Sequence, residues 1–426
     1  MKNLLITLLL LIVLSAHSST QHQSEISYIV AANSRTVDLD LSRFTFTQKT
    51  RITLNQAWRL NLEGRAQWAD DQTGLGSISA FAQLSRPLIK TDHSRVEIDR
   101  AYVTFRHQTF TLKLGKQVTP WGVLDGIQIT DRFDPIRRND FILSDPRPSR
   151  ISRWGLNSQA NILNGNLEIS LALDDTANQQ ANLVNAFSPT SSRFLGGLEL
   201  TDAAQFTINT PKREHSLQRS TAGVRFSGQT NNASYSLLTF HGPDTEPLLT
   251  LGDQGSVIVL TYPNRSLLGL TYDTNFAGMV LRSEFAYVPK QPINTQTDRP
   301  LSYAYLPRLL VGIGLDWRMS GDWFFNLQLA VDHFKAKEKT LFRNQTDTLM
   351  TFKSQRSLYN DQVSVSLELI GSLSDNDGVL RPAISYDIND SISIETGLDW
   401  IFGDTQGIFG QFSQQSRVWL KLTYRL

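Results

Sequence analysis

The chain has no cysteine. That excludes a disulfide framework, a thiolate metal site, a cysteine nucleophile and a lipid-modified N-terminal cysteine. Excess charge of either sign is lacking too. The formal net charge is +1, so no global field points at nucleic acid. Charged residues make up 19% and hydrophobic residues 40% of the 426 positions, both low for a soluble globular chain. Glycine and proline, at 26 and 15, are neither collagen-like nor typical of disorder. No HExxH, GxSxG or P-loop pattern occurs. Long hydrophobic runs are also missing, apart from Leu4 to Leu14 near the start. At ~1.5 Å per helical residue such a run cannot cross a ~30 Å hydrocarbon core.

What is there begins with that run. Lys2 precedes it, and Ser15, Ala16, Ser18 and Ser19 follow. A basic start, a short apolar stretch and small residues form the layout of a secretory signal peptide. We expect residues 1–18 to be this signal, cut between Ala16 and Ser19, and 19–36 to be a periplasmic tail or a plug. The rest of the chain, 37–426, is then exported without a spanning helix.

Periodicity supplies the fold. At the C-terminus Val418, Leu420, Leu422, Tyr424 and Leu426 alternate with Arg417, Trp419, Lys421, Thr423 and Arg425. Alternation at period 2 is a strand and not a helix. Trp58, Leu60, Leu62, Ala66 and Trp68 likewise oppose Arg59, Asn61, Glu63, Arg65 and Gln67. Leu309 to Trp317 oppose Gly312, Gly314, Asp316 and Arg318, and similar patterns cover 362–369 and 392–400. Further candidate strands lie near 96–107, 109–119, 150–162, 165–174, 217–229, 231–241, 265–274, 277–288, 321–335 and 378–389. Asn164-Gly165, Asn231-Asn232, Ser320-Gly321 and Asn389-Asp390 mark tight turns. Other pairs are separated by long polar stretches, 70–94, 120–149, 175–216, 242–264, 289–304 and 336–356.

Short turns on one rim and long loops on the other suit an outer-membrane barrel. A secreted β-sandwich would show the same alternation. Long strands, apolar faces ending in Trp58, Trp68, Trp317, Trp323, Trp400 and Tyr424, and charges in mid-strand favour the barrel. In lipid every backbone group needs a partner, so the sheet must close. We expect an all-β, transmembrane antiparallel barrel of about 16 strands, with 14 and 18 open. Its lumen is then wide enough for water unless loops fold inward.

One loop is distinctive. After Thr119, Pro120 ends a strand, and the chain runs through Trp121-Gly122, Asp125-Gly126, Asp131, Arg132, Asp134-Pro135, Arg137-Arg138, Asp140, Asp145-Pro146 and Arg147 to Arg150 and Arg153. Its apolar residues, among them Ile129, Phe133 and Phe141, suggest packing onto something. We expect it to fold into the lumen and narrow it. Its arginines would either contact a solute, as planar donor forks suited to carboxylate or phosphate, or pair internally and pin the loop to the wall.

Leu114-Gly115-Lys116-Gln117, Trp121-Gly122, Asp125-Gly126 and Asp134-Pro135 together resemble a porin-like family of Gram-negative outer-membrane barrels, largely of the domain-of-unknown-function type. More distantly they are similar to alginate-export and phosphate-selective porins, which share a Gly-x-Gln strand end before an inward loop. Arg381-Pro382, Tyr386, Asp390, Gly397, Phe402-Gly403 and Phe409-Gly410 add to the likeness. The resemblance implies an outer-membrane location and passage or export of a solute, without naming that solute. The chain departs from such barrels in ending at Leu426 where phenylalanine is usual, though Tyr424-Arg425-Leu426 keeps aromatic and apolar positions for the insertion machinery.

If the apolar faces meet lipid, the lumen receives Arg59, Glu63, Arg65, Arg100, Arg106, Lys113, Glu168, Arg225, Arg282, Glu284, Asp316, Arg318, Glu368, Asp399, Arg417, Lys421 and Arg425. Cations outnumber carboxylates in this set, which lowers the barrier for anions. The expected function is a channel for small, anionic or amphipathic solutes. The alternative is a conduit for lipid-like cargo, working with inner-membrane and periplasmic transport proteins. A surface enzyme is the third reading, carried by His241 or His333. Asp332-His333 cannot act as a simple dyad, because adjacent strand residues face opposite ways. Asp174-Asp175 and Asp375-Asn376-Asp377 read as turns ahead of calcium sites, since neither has the EF-hand pattern. No cofactor, metal or nucleic-acid partner is expected. The expected partners are outer-membrane lipid, the insertion machinery and a small solute, with the oligomer left open.

Overall fold

A computed structural model describes residues 19–70, 75–77, 79–143, 149–181, 185–199, 206–212, 217–252, 257–297, 299–336 and 340–426. The expected signal segment lies outside the described residues. Eighteen strands close into one antiparallel barrel. They are β1 (Ser19–Asn33), β2 (Leu39–Thr53), β3 (Trp58–Ala69), β4 (Ser94–Arg106), β5 (Phe110–Gln117), β6 (Arg153–Ile162), β7 (Gly165–Ala172), β8 (Thr221–Gln229) and β9 (Ala233–Pro243). The second half comprises β10 (Asn264–Phe276), β11 (Met279–Asn294), β12 (Tyr303–Met319), β13 (Trp323–Phe334), β14 (Thr346–Leu358), β15 (Val363–Ser372), β16 (Asp377–Asp387), β17 (Ile392–Phe402) and β18 (Arg417–Arg425). Each strand pairs with its neighbours in sequence, and β1 pairs with β18 from Glu25↔Arg425 to Asn33↔Arg417. No sheet edge is left at that junction, as a hydrocarbon surround demands.

The alternation read from the sequence is the alternation of faces. Val418, Leu420, Leu422 and Tyr424 are exposed on the outside, while Arg417 and Thr423 are buried. Trp58, Trp68, Val311, Ile313, Val365, Leu367 and Trp400 are exposed too, whereas Arg65, Asp316 and Asp399 are buried. The apolar face therefore meets lipid and the charged face the lumen. The aromatic residues gather at the strand ends: Trp58 lies 4.7 Å from Phe105, and Phe325 stacks between Trp317 and Trp323 at 5.1 and 5.5 Å.

Loop lengths separate the two rims. The connections 54–57, 107–109, 163–164, 230–232, 277–278, 320–322, 359–362 and 388–391 are short and lie on the rim that carries both strand termini, Ser19 and Arg425. Leu163 and Asn164 both have positive φ, 51° and 59°, as a two-residue turn matched to strand twist requires. The other rim carries all the long connections, 70–93, 118–152, 173–220, 244–263 and 403–416, along with 295–302, 335–345 and the short 34–38 and 373–376.

Three strands were not among the candidate strands read from the sequence, and with them the count, expected at about 16, is 18. Residues 19–33 are neither a tail nor a plug but strand β1, hydrogen-bonded on both sides. β2 and β14 were not foreseen either. The outward faces of all three mix polar with apolar residues. On β1 and β2 His22 meets Thr50 and Ser24 meets Gln48, and on β14 Thr348, Ser354 and Arg356 alternate with Met350 and Phe352. Their hydrophobic period is therefore weak. The stretch 336–356, read as loop, turns into β14 at Thr346.

Candidate functional site

The loop 118–152 leaves β5 and enters the barrel. Its first half is seated on the inner wall of β8–β13. Trp121, Ile129 and Phe133 are buried with Leu238, Phe240, Leu267, Ala286, Leu310 and Ala330. Trp121 and Phe133 rings lie 5.0 Å apart, and Phe133 meets Phe240 edge-on at 5.7 Å. The wall makes room with glycine. A Cβ on Gly312 would stand 2.5 Å from Leu124 Cδ1, and one on Gly223 would stand 2.6 Å from Trp121 Cη2. Burying each large apolar side chain stabilises the seat by ~1.5–3 kcal/mol.

Glu284 on β11 clasps the loop. Its Oε1 accepts from the backbone NH of Val123 (2.5 Å) and Leu124 (2.7 Å), and Oε2 from Thr130 N (2.8 Å) and Thr130 Oγ1 (2.6 Å). Hydrogen bonds to an ionised acceptor are worth ~1.5–3 kcal/mol each. The Trp121-Gly122 step allows this closure, because a Cβ at Gly122 would lie 3.0 Å from Glu284 Oε1. Trp121 Nε1 donates to Glu168 of β7 at 3.1 Å.

The loop then crosses the lumen. Arg137 pairs with Glu97 (2.8 Å) and Asp99 (3.3 Å) on β4. Arg138 reaches Glu246 at 3.1 Å. Asp140 accepts a two-pronged bond from Arg43 on β2, at 2.5 and 3.1 Å. Phe141 ends the crossing against Phe409 and Phe412, beside β17 and β18, and Arg381 on β16 donates to Leu143 O. The loop is thus fixed to opposite walls. A second loop runs beside it: Gln179 and Gln180 pair in parallel with Arg137 and Arg138.

The remaining charges of the loop are mostly spent on holding it. Arg150 pairs with Asp131, and Arg153 lies 3.6 Å from Asp134 while donating to Phe133 O. Arg132 donates to Gln128 O within the loop. Asp125 is exposed and pairs with Arg282 of β11, which also holds Asp316. Arg147 lies outside the described residues.

Asp134 is almost fully buried, and burial pushes its carboxyl up to about 6, with Arg153 and the Thr119 NH pulling the other way. Between its unfolded value near 4 and 6 the folded loop holds a proton that the unfolded chain releases. This contribution is fully present below pH 4 and is lost as pH rises through 6, at a cost of about 3 kcal/mol for a shift of this size. Asp134→Asn should therefore remove a downward slope of stability between pH 4 and 7, measured by guanidinium unfolding in phospholipid vesicles. Parallel pH profiles for the two proteins would contradict it.

On the opposite side the lumen is lined differently. Below Arg65, towards the short-turn rim, β2–β5 present Lys49, Arg51, Arg59, Arg100, Arg106 and Lys113 on the inward face. Glu63 is the one carboxylate there among the described residues, and it sits 3.5 Å from Arg100. The bulge that shifts register at Glu63/Gly64 turns both Asp99 and Arg100 inward. Lys49, Arg51, Arg59, Arg106 and Lys113 make no ion pair among the described residues. Elsewhere most of the inward charges are paired, Arg65 with Asp99, Arg225 with Glu168 (2.6 Å), Arg381 with Glu368 and Asp399, Arg417 with Asp399 (2.9 Å), and Arg425 with Glu25, while Arg318, Lys353 and Lys421 are scattered singly and make no ion pair among the described residues. Arg318 lies over the Phe324 ring. Lys421 stands opposite Glu395 in register. Lys49 and Arg51 were missed in the sequence because β2 was.

The histidines considered for catalysis are dispersed. His241 contacts Ser266 and His333 contacts Thr346, each at 2.8 Å. Asp332 faces the other way, into a pair with Arg308. Asp174 and Asp175 bind Ser85 and Arg219, while Asp375 pairs with Arg193 and Asp377 caps Phe409 N and Gly410 N.

No family model matches the chain, and no curated protein matches it by sequence. Solved structures do match. Acinetobacter baumannii OccAB2 aligns over 96% of this chain and 98% of its own at 10% identity, with a TM-score of 0.55. OccAB1 of the same organism aligns over 96% of both chains at 8% identity, with a TM-score of 0.53. An anion-selective porin from Comamonas acidovorans covers 96% of this chain and 99% of its own at 11% identity, but its TM-score of 0.43 is too low to carry an argument. The shared property is the fold, a closed porin-type barrel. The resemblance to a porin-like family holds at that level.

Proposed function

We propose that the chain is an outer-membrane channel through which small solutes pass, with anions favoured. The loop 118–152 is its constriction and the inward face of β2–β5 its conducting wall. One observation carries this reading: five cations without carboxylate partners among the described residues line one wall of a lumen that a pinned loop crosses. Cations fixed along a narrow aqueous path lower the barrier to anions, and charges within a Debye length of ~10 Å reinforce one another. Among the described residues the carboxylates of the loop, Asp125, Asp131, Asp134 and Asp140, each stand beside an arginine, so they oppose that field little.

The location follows from the barrel: an apolar outer face with aromatic ends, and a charged interior, fit a bilayer and not open solvent. The fold of the matched structures agrees. Charges on the loop act in this reading as anchors more than as solute contacts.

Refolded protein in a planar bilayer should give discrete current steps. A folded, heat-modifiable barrel that passes no current in any salt would overturn the reading.

A further inference from the structure

The barrel wall is not continuous between its two aromatic levels. β4 pairs with β3 along Ser94–Phe105. On its other edge, pairing with β5 stops at Ala101, opposite Lys116. β5 ends at Gln117 and β6 begins at Arg153, so both are too short to continue. Above that level, among the described residues, no barrel strand pairs with this edge of Ser94–Arg100. Trp58 opposite Phe105 and Trp68 opposite Ser94 mark the two aromatic levels on this side. The notch therefore lies in the half of the apolar belt nearest the long loops, which is the outer leaflet.

Backbone groups facing hydrocarbon cannot stay unpaired. Here they are met one at a time rather than by a ladder. Leu88 N donates to Val96 O at 2.7 Å, Lys116 Nζ to Ile98 O at 2.7 Å, and Ser152 Oγ to Asp99 O. The filling is a strap, residues 79–90. Ile89 and Lys90 pair with Val96 and Arg95 over two residues only. The short 3-10 turn Gln83–Ser85 hangs from side chains: Ser85 Oγ on Asp174 (2.6 Å), Trp154 Nε1 on Leu84 O (3.2 Å) and Lys116 Nζ on Ser85 O (3.3 Å). Leu88 and Ile89 are exposed. Gly115 has φ 132°, and a Cβ there would collide with Ala101 O. The residue at the corner of the notch is thus held to glycine, and Lys116 follows it.

We propose that this notch is a lateral portal, that the strap is its door, and that its ligand is an anionic amphiphile. The proposal rests on the channel reading and extends it to where one class of solute leaves. An opening at this depth gives onto hydrocarbon, so the solute must have an apolar end. Lys116, a cation buried in the wall there, is a compact donor of three hydrogen bonds. When the strap's Ser85 carbonyl withdraws, an anionic headgroup takes its place on the ammonium. The strap is held by two ladder pairs, by the side-chain bonds named above, by Ala177 N on Ala80 O (2.8 Å) and Ala82 N on Thr176 Oγ1 (3.0 Å), and by Phe81 buried with Ala80 and Ile151, so opening withdraws one apolar anchor and a short ladder while the barrel strands stay paired.

The chain has no cysteine, so Ile89→Cys with Val96→Cys adds a single reversible lock across facing residues. The probe is a pyrene-labelled alkyl sulfonate, which does not cross bilayers unaided. Its entry into albumin-loaded proteoliposomes is read beside single-channel conductance. The expected result is unchanged conductance on oxidation, with sulfonate entry falling at least tenfold and returning with reductant. Lys116→Met should slow the sulfonate several-fold and leave a pyrene-labelled alkyl glucoside unaffected. Sulfonate entry at the same rate in the locked barrel, or absent from the reduced one, would overturn the portal. Sulfonate entry without ion conductance would count against the channel reading and leave the portal standing.

Discussion

Removal of residues 126–146 is expected to raise single-channel conductance several-fold. The segment crosses the lumen from the Glu284 clasp to the Phe141 contact on the far wall, so it occupies cross-section that water and ions would otherwise use. The strands on either side of it are complete without it: β5 and β6 pair from Phe110↔Ala160 to Gln117↔Arg153. The barrel should therefore still fold and migrate as a compact species on unheated gels. A gentler variant, Glu284→Ala, removes the acceptor for Val123, Leu124 and Thr130. Losing four charge-assisted bonds at ~1.5–3 kcal/mol each should leave that wall contact of the loop to apolar burial and the exposed Asp125–Arg282 pair. Frequent switching between the wild-type current and a larger one is the expected record. A deletion that conducts like the intact protein would mean the narrowest point lies elsewhere.

The second large effect concerns selectivity. Lys49→Glu, Arg51→Glu and Arg59→Glu together replace three cations on adjacent strands and change the wall charge by six units. The variant should pass cations in preference to anions, with a conductance that depends more on the cation chosen. The same triple change to glutamine should bring the preference close to none. Reversing charges that are already paired, such as Arg417 with Asp399, should mainly destabilise: removing one partner of a buried pair typically costs ~3–5 kcal/mol. If the glutamate triple variant keeps the wild-type preference, these cations do not line the conducting path.

Most of the barrel was legible because its outward faces are chemically uniform. Val418, Leu420, Leu422 and Tyr424 announce a strand by period alone. Where the outer face carries His22, Ser24, Gln48 and Thr50, which satisfy one another in pairs, the period fades, and β1 and β2 go unread. That 118–152 packs onto something was legible from its composition, since Ile129 and Phe133 have no reason to stay in water and are buried. Its seat was not. Gly312 and Gly314 stood out only as small residues on a polar face, and nothing short of three dimensions relates them to Leu124. Pairing was invisible for the same reason. Which arginines are neutralised depends on neighbours far away in sequence, such as Arg43 with Asp140, and that decides which cations are left to face a solute. The notch beside β4 follows from where β5 and β6 stop, and strand ends are the least readable feature of any sequence.

The most direct test is the reversal potential of the wild-type channel under a potassium chloride gradient at neutral pH. The sign that marks chloride as the more permeant ion is predicted, and it should vanish in the Lys49→Gln, Arg51→Gln, Arg59→Gln variant. A wild-type channel that prefers potassium would contradict the account, since the wall of β2–β5 would then not set the field that ions cross.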